Sequence, residues 1–187
     1  MVEQAYAQLK EGHFEDAIQA FSKCLLLEPS EARAYSGRGT AHLQLRKWQP
    51  AAFDFSMAHK LDPADAESRI GLAISLASDN RIYEAIDVFE ALLADHPHFV
   101  RARIQFAQLY YHMGVITKGH QELDAALASR PSLAERRTIE QLKKEQLTLD
   151  KKRYYRPDFE ALRRQNRPLL GDFFKKLGAL FGRKPKN

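Results

Sequence analysis

The chain has 187 residues, of which 44% are hydrophobic and 28% charged, and its formal net charge at pH 7 is +5. Such a composition is typical of a globular protein, and it excludes the collagen-like, low-complexity and wholly disordered classes. The single cysteine excludes an intramolecular disulfide framework and a cysteine-based zinc site. No stretch approaches the roughly 18 consecutive apolar residues that predict a membrane-spanning helix. Because the first residues also lack the features of a secretory signal, we expect a cytoplasmic protein.

The positive charge is concentrated at one end of the chain. Residues 150–187 contain 12 basic and 4 acidic side chains, a balance of +8, whereas residues 1–149 have a balance of −3. A mildly acidic body followed by a strongly basic tail predicts an anionic partner for the tail.

Four kinds of residue recur through the body at intervals of 34 residues. In each period a large apolar residue is followed by a small one, then by a second large apolar residue, and finally by a proline. Columns that stay in phase over four periods indicate an internal repeat. The columns are Phe14, Trp48, Ile82 and Ile116; Ala17, Ala51, Ala85 and Gly119; Phe21, Phe55, Phe89 and Leu123; and Pro29, Pro63, Pro97 and Pro131.

Each period contains two helical patterns. In the third period, apolar residues recur at helical spacing at Leu72 and Leu76, and again at Ile86, Phe89 and Leu93. The prolines follow the second pattern closely, where a helix must end. Because the alternation typical of strands is absent, each period is predicted to be a helix–turn–helix unit. Such a unit buries its apolar faces only by stacking on its neighbours.

The repeat resembles the tetratricopeptide repeat family, whose 34-residue pattern reads W-x2-L-G-x2-Y…A-x3-F…P. The second period matches this pattern at Gly39, Ala51 and Phe55, but it has Arg38 at the Leu position and His42 at the Tyr position. The first period has glutamines at the same two positions. The resemblance implies an all-α fold, a right-handed superhelix of helix–turn–helix repeats (an α-solenoid). It also implies a non-enzymatic protein that binds other proteins.

The repeat pattern ends after residue 131. We predict four tetratricopeptide repeats over residues 1–131, the first of them degenerate, followed by a capping helix over residues 132–152. Ser132 is the expected N-cap of that helix, because Glu135 follows three residues later as in a capping box. A basic tail is predicted over residues 153–187. The narrow apolar stripe of the capping helix consists of Ile139, Leu142 and Leu149.

Sequence motifs for catalysis or for cofactor binding are absent. The chain has no P-loop, no nucleophile elbow and no zinc-protease motif, so we expect neither an enzyme nor a bound cofactor or metal. The segment Asp95–His98 contains two histidines near a carboxylate, but a solvated turn explains it better than a metal site does. Cys24 lies in the column that also contains Ala58, Leu92 and Ala126, and it is interpreted as a small buried hydrophobic residue. His42 is interpreted as a packed core histidine.

The first helices of tetratricopeptide repeats line a groove in which partner peptides bind. The lysine, asparagine and arginine clamp by which some family members hold a terminal carboxylate is missing, because its positions carry Val2, Tyr6, Gly37, Glu67 and Gly71. An apolar segment or an amphipathic helix with acidic flanks would suit the apolar strip that remains on this face, which consists of Ile70, Ile74, Ile104 and Tyr111. Cover by the protein's own tail or by a second subunit is the alternative. The candidate groove residues are Tyr6, Leu9, Arg33, Thr40, Leu43, Ile70, Ile74, Arg101, Ile104, Gln108 and Tyr111.

The tail contains a second amphipathic pattern. On a helix over residues 169–181, apolar side chains would fall on one face and cations outside it, as in helices that lie in a membrane interface. Packing on the repeats or on a twin subunit is the alternative. Basic residues beside Tyr154 and Tyr155 could contact RNA, but no nucleic-acid module is recognisable. The candidate tail residues are Leu170, Phe173, Phe174, Lys175, Lys176, Leu177 and Phe181.

Three functional hypotheses follow from these patterns. The first is a scaffold that binds a protein or peptide partner in the groove. The second is an adaptor whose tail places it peripherally at the inner, anionic membrane surface. The third, a nucleic-acid- or ribosome-associated protein, is the one that the sequence favours least. Assembly into a homo-oligomer stays open.

Overall fold

The computed structural model describes residues 1–153, with side chains described for residues 1–149. The chain divides into two compact units, Met1–Lys143 and Lys144–Asn187. Within the described residues every regular element is an α-helix. The helices are α1 (Val2–Glu11), α2 (Phe14–Leu27), α3 (Ala32–Gln44), α4 (Trp48–Leu61), α5 (Ala66–Ser78), α6 (Ile82–Asp95), α7 (Val100–His112), α8 (Ile116–Ala128) and α9 (Leu133–Arg153).

The turn inside each of the four repeats has the same backbone geometry. Its central residue adopts a positive φ at Gly12 (85°), Arg46 (56°), Asn80 (64°) and Gly114 (77°), again spaced by 34 residues. The next amide then donates a hydrogen bond to the carbonyl five residues back, which closes the helix in a Schellman turn. Glycine and asparagine tolerate this conformation, whereas Arg46 adopts it at a steric cost. The four bonds are His13 N to Gln8 O (2.9 Å), Lys47 N to His42 O (2.9 Å), Arg81 N to Leu76 O (2.9 Å) and Val115 N to Tyr110 O (2.8 Å).

The columns of small and large residues form the core of the stack. Ala17, Ala51 and Ala85 are completely buried, because the two helices of a repeat approach most closely there. The phenylalanines that follow them by four residues fill the space between successive repeats, and Phe21 and Phe89 are essentially inaccessible. Cys24 is also buried beside Phe21. The all-α solenoid predicted from the sequence is therefore confirmed.

The odd-numbered helices line one face of the repeats. Helix α1 contacts α3, α3 contacts α5, and α5 contacts α7, whereas α2, α4, α6 and α8 do not contact one another in the part of the chain that the structure describes. The side chains on the face shared by α1, α3, α5 and α7 are called the groove face below.

The third and fourth repeats meet through aromatic rings. Phe89 of α6 stacks on Phe106 of α7 with ring centroids 5.1 Å apart, and Phe106 contacts Tyr110 at 4.4 Å. The backbones of α6 and α7 approach each other at fewer places than those of α2 and α3 or of α4 and α5. At those two earlier junctions a glycine, Gly37 or Gly71, lies directly on a phenylalanine ring. The rings therefore separate the last two repeats, whereas glycine brings the others together.

Helix α9 begins with the predicted capping box. The hydroxyl of Ser132 accepts a hydrogen bond from the amide of Glu135 (3.3 Å), and the Glu135 carboxylate accepts one from the Ser132 amide (2.8 Å). Ile139 is completely buried, and Leu142 packs against the same cluster. Leu149, the third residue of the predicted stripe, lies in the second unit and is 51% exposed. The candidate tail residues, including the predicted helix over residues 169–181, lie outside the described residues.

Candidate binding groove

The groove face contains eleven candidate residues that differ widely in exposure. Arg33, Arg101 and Gln108 are exposed. The half-buried members are Tyr6, Leu9, Thr40, Leu43, Ile74 and Tyr111, and the buried ones are Ile70 and Ile104.

The prediction of an apolar strip on the groove face is wrong at two of its four positions, because their side chains are buried. Ile70 is only 3% exposed, because it belongs to a buried cluster with Leu92 and Ala102, and the small Ala102 side chain lets α7 come close. Ile104 is 5% exposed and belongs to the cluster that contains Ile139 of α9. Neither side chain offers a partner appreciable surface.

Tyr111 is fixed by its neighbours on α8. Its hydroxyl lies 2.9 Å from Nδ1 of His120, and its ring lies where a side chain on Gly119 would have to be, 2.3 Å from an ideal Cβ. Gly119 replaces the alanine of the other repeats because the ring takes that space. The orientation of the Tyr111 ring is therefore fixed. The ring is half-buried, and only part of it is accessible on the groove face.

The first two odd-numbered helices are joined by Tyr6 and Arg33. The Tyr6 hydroxyl donates a hydrogen bond to the Arg33 carbonyl (2.8 Å), and the Arg33 guanidinium lies over the Tyr6 ring at 5.6 Å. Arg33 also pairs with Glu3 across the helices, with Nη2 and Oε1 2.7 Å apart. Burial raises the pKa of Tyr6, and the nearby Arg33 charge opposes that rise. The phenol is therefore a neutral hydrogen-bond donor at physiological pH.

A second ion pair joins α5 and α7. Arg101 Nη1 lies 3.1 Å from Glu67 Oε2, and both side chains are about half exposed or more. Exposed pairs of this kind contribute roughly 0–1 kcal/mol each. A carboxylate from another molecule can therefore replace Glu3 or Glu67 at little cost to the fold.

The structure explains why the carboxylate clamp cannot form on this face. An ideal Cβ on Gly37 would lie 2.2 Å from the Phe21 ring, and one on Gly71 would lie 2.5 Å from the Phe55 ring. Neither position can therefore hold the clamp's side chain. Glu67, at another of the clamp positions, adds a negative charge, which disfavours a terminal carboxylate further.

A buried polar cluster on α3 and α4 was missed at the level of sequence. Arg38 and His42, the two departures from the family pattern, both face Asp54, which is 1% exposed. Arg38 donates two hydrogen bonds to the Asp54 carboxylate, from Nε (3.0 Å) and Nη2 (2.7 Å), and a third to Ser22 Oγ (3.1 Å). His42 Nε2 lies 3.7 Å from Asp54 Oδ2. A comparison of the repeats could have revealed the cluster, because all three of its residues are polar where the third repeat has the apolar residues Leu72, Leu76 and Val88.

His42 should make the stability of the fold sensitive to acid. Burial lowers its pKa, Asp54 counteracts the effect, and Arg38 and Lys47 add to it. Because the folded-state pKa lies below the unfolded value of about 6.5, the unfolded chain binds the additional proton first, and stability falls as the pH falls through that region. We expect urea denaturation to show a lower free energy of unfolding at about pH 5.5 than at about pH 7.5. The difference should shrink in His42→Leu, and an unchanged pH profile would contradict the assignment.

The described part of the chain contains neither a metal-binding cluster nor a membrane-spanning helix. Within it, no group of three or more histidine, cysteine, aspartate or glutamate side chains could hold a metal ion. None of its helices is both long and apolar enough to cross a membrane.

Comparison with known proteins places the repeats in a family. Two family models, both described as tetratricopeptide repeat, match residues 2–66 and 76–139, which together are about two thirds of the chain. The chain belongs to the tetratricopeptide repeat family. Proteins of this family are in general interaction modules without catalytic activity.

The similar proteins share the repeats rather than a whole architecture. Sperm-associated antigen 1 is 29% identical in mouse and 28% in rat over 86 residues, which are 46% of this chain but only 9% and 10% of those proteins. Among solved structures, a crystal structure of MamA has a TM-score of 0.62 at 23% identity, over 68% of this chain and 75% of that one. The second tetratricopeptide domain of human RPAP3, in complex with an HSP70 peptide, has a TM-score of 0.55 at 21% identity, over 57% and 89%. At these identities the structural similarity establishes the fold alone.

Proposed function

We propose that this tetratricopeptide repeat protein is a non-catalytic scaffold that binds a partner polypeptide on the groove face. The observation that carries the proposal is the pair of exposed salt bridges, Glu3–Arg33 and Glu67–Arg101, which each join two neighbouring odd-numbered helices. The same face offers Thr40, Ile74 and Gln108 for side-chain contacts. That a related repeat domain takes up a peptide of HSP70 supports a peptide as the class of ligand.

The chemistry of the groove face favours a partner with acidic groups around an apolar segment. Carboxylates of the partner would compete with Glu3 and Glu67 for the two guanidinium groups. The half-buried Ile74 and Leu43 would contact its apolar side chains. Because Ile70 and Ile104 are buried, the apolar contact is narrower than the sequence predicted, and charge contributes more to selectivity. A terminal carboxylate of the kind held by the clamp is not the expected ligand.

Site-specific photocrosslinking in cells tests this proposal. A photoreactive amino acid at Gln108 is expected to capture a discrete partner, and Arg33→Glu with Arg101→Glu should reduce the yield by about tenfold, because two attractive contacts become repulsive. The matched control places the same amino acid at Tyr83 of α6, which is 82% exposed but does not lie on the groove face. If a partner is captured only from position 83, or if the charge reversal leaves the crosslinking yield unchanged, the binding surface does not lie on the groove face.

Membrane-surface binding through the tail is the second candidate function, and the sequence pattern over residues 169–181 supports it. On a helix over these residues, seven apolar side chains would share one face and the cations would fall outside it. Phe173→Glu with Phe174→Glu should abolish sedimentation of the full chain with anionic vesicles, because charges would enter the apolar face. Lys175→Arg is the control and should bind as the parent does. A parent chain that never sediments with these vesicles would end the membrane hypothesis.

A further inference from the structure

A cleft of about 540 Å³ lies between α4 and α6, away from the groove face. Leu72 and Leu76 of α5 form its floor, Ala52 and Phe53 of α4 form one wall, and Val88 of α6 forms part of the other. Phe53 is 61% exposed, which is unusual for an aromatic side chain next to an apolar floor. The cleft is open to solvent, so a side chain projecting from another polypeptide can enter it.

The cleft is a property of this pair of repeats and is not common to all of them. The residues that correspond to Phe53 in the other three repeats are Gln19, Asp87 and Gln121, so only the second repeat has an aromatic residue at this position. Ala52 is smaller than Ile18 and Ile86, its counterparts in the first and third repeats. One repeat later, the floor positions carry Phe106 and Tyr110, and the corresponding cleft is smaller, at about 400 Å³.

The charged groups around the cleft leave it negative. Arg81 is neutralised by Glu84 through two short hydrogen bonds, 2.7 Å from Nε and 2.6 Å from Nη2. Asp87 lies on the same wall and has no ion-pair partner among residues 1–149. Gln49, at the opposite rim, donates a hydrogen bond to Asp79 (3.2 Å), a further acidic residue. An apolar group accompanied by a cation would therefore complement the cleft better than a neutral or acidic one.

We propose that the cleft between α4 and α6 is a second docking site, which binds a partner polypeptide through one large apolar side chain and a nearby lysine or arginine. The apolar side chain enters between Phe53 and Val88 above Leu72, and the cation faces Asp87. Binding here is independent of the groove face and would let the scaffold hold two partners at once.

Peptide selection on the intact protein tests the second site. A displayed library of random short peptides is selected on the full chain, and an enriched peptide is titrated by fluorescence polarisation. We expect enrichment of an apolar residue followed within one helical turn by lysine or arginine. We expect Kd to rise about tenfold or more in Phe53→Gln, and likewise in Asp87→Lys. Ala52→Ile, which introduces the residue of the neighbouring repeats, should block the cleft and weaken binding without loss of helical content.

Matched controls separate this site from the groove face. Tyr83→Gln removes a more exposed aromatic residue of α6 that does not line the cleft, and it should leave Kd unchanged. Arg33→Glu with Arg101→Glu should also leave it unchanged. The proposal is overturned if no apolar–basic motif is enriched, or if Phe53→Gln binds as the parent does. It is equally overturned if the groove variant alone loses binding, a result that would support the groove as the binding surface.

Discussion

Gly37→Ala should lower the free energy of unfolding by about 2–3 kcal/mol, although alanine is the better helix former. An ideal Cβ at this position would lie 2.2 Å from Cζ of Phe21 and less than 3 Å from two further atoms of the same ring. The ring cannot yield easily, because it is completely buried and packs in a T-shaped contact with the Tyr6 ring, with centroids 5.1 Å apart. Chemical denaturation with urea measures the difference.

A double-mutant cycle identifies the ring as the cause. Phe21→Leu should relieve the clash, so the combined variant should be more stable than the sum of the two single effects predicts. Gly39→Ala is the matched control on the same helix, because its nearest contacts are at 3.2 Å and it should cost less than about 1 kcal/mol. A neutral Gly37→Ala variant would mean that α2 and α3 can separate, and the argument against a carboxylate clamp would fail with it.

Arg38→Leu should destabilise the fold by about 3 kcal/mol, even though leucine is the residue of the family pattern. The substitution leaves the Asp54 carboxylate buried, with no arginine to donate the two hydrogen bonds it accepts now. Asp54 would then retain the His42 ring at 3.7 Å, which carries a positive charge only when it is protonated. Urea denaturation near neutral pH should show the loss.

Replacing the whole cluster should have the opposite result. Arg38→Leu, His42→Leu and Asp54→Val together copy Leu72, Leu76 and Val88, the residues at the same positions of the third repeat. Exchange of a buried ionic cluster for packed apolar side chains is typically neutral or stabilising. We therefore expect the triple variant to be at least as stable as the parent. A triple variant as unstable as Arg38→Leu alone would show that packing, and not the orphaned carboxylate, causes the loss.

The fold could be predicted from sequence because its signal is periodic. Prolines spaced by 34 residues set the register, and the capping box of Ser132 and Glu135 was visible as two residues at the required distance. The column of positive φ values was not visible, because Gly12, Arg46, Asn80 and Gly114 share no residue type that a search would align.

The helices that carry the groove residues could be predicted from sequence, but the solvent exposure of each side chain could not. The accessibility of Ile70 depends on the size of Ala102 on the next odd-numbered helix. The accessibility of Ile104 depends on Ile139 of α9, which packs in the same cluster. The polar cluster was missed for a related reason. Arg38 and His42 were recognised as departures from the pattern, but Asp54 lies on the next helix at a position for which the pattern specifies nothing. Contacts between helices determine both the burial of the isoleucines and the formation of the polar cluster. The spacing of residues along the sequence does not specify such contacts directly.

The aromatic contact between the third and fourth repeats makes that junction adjustable. Where Gly37 and Gly71 lie against rings, backbone and side chain are in direct contact, and the angle between neighbouring repeats has one value that packing allows. Between α6 and α7, three rings of Phe89, Phe106 and Tyr110 act as a spacer whose thickness depends on side chains alone. Exchanging one ring for a residue of another size would therefore reset the inclination of the fourth repeat and leave the first three unaltered. Related proteins could in this way acquire grooves of different widths through a single substitution.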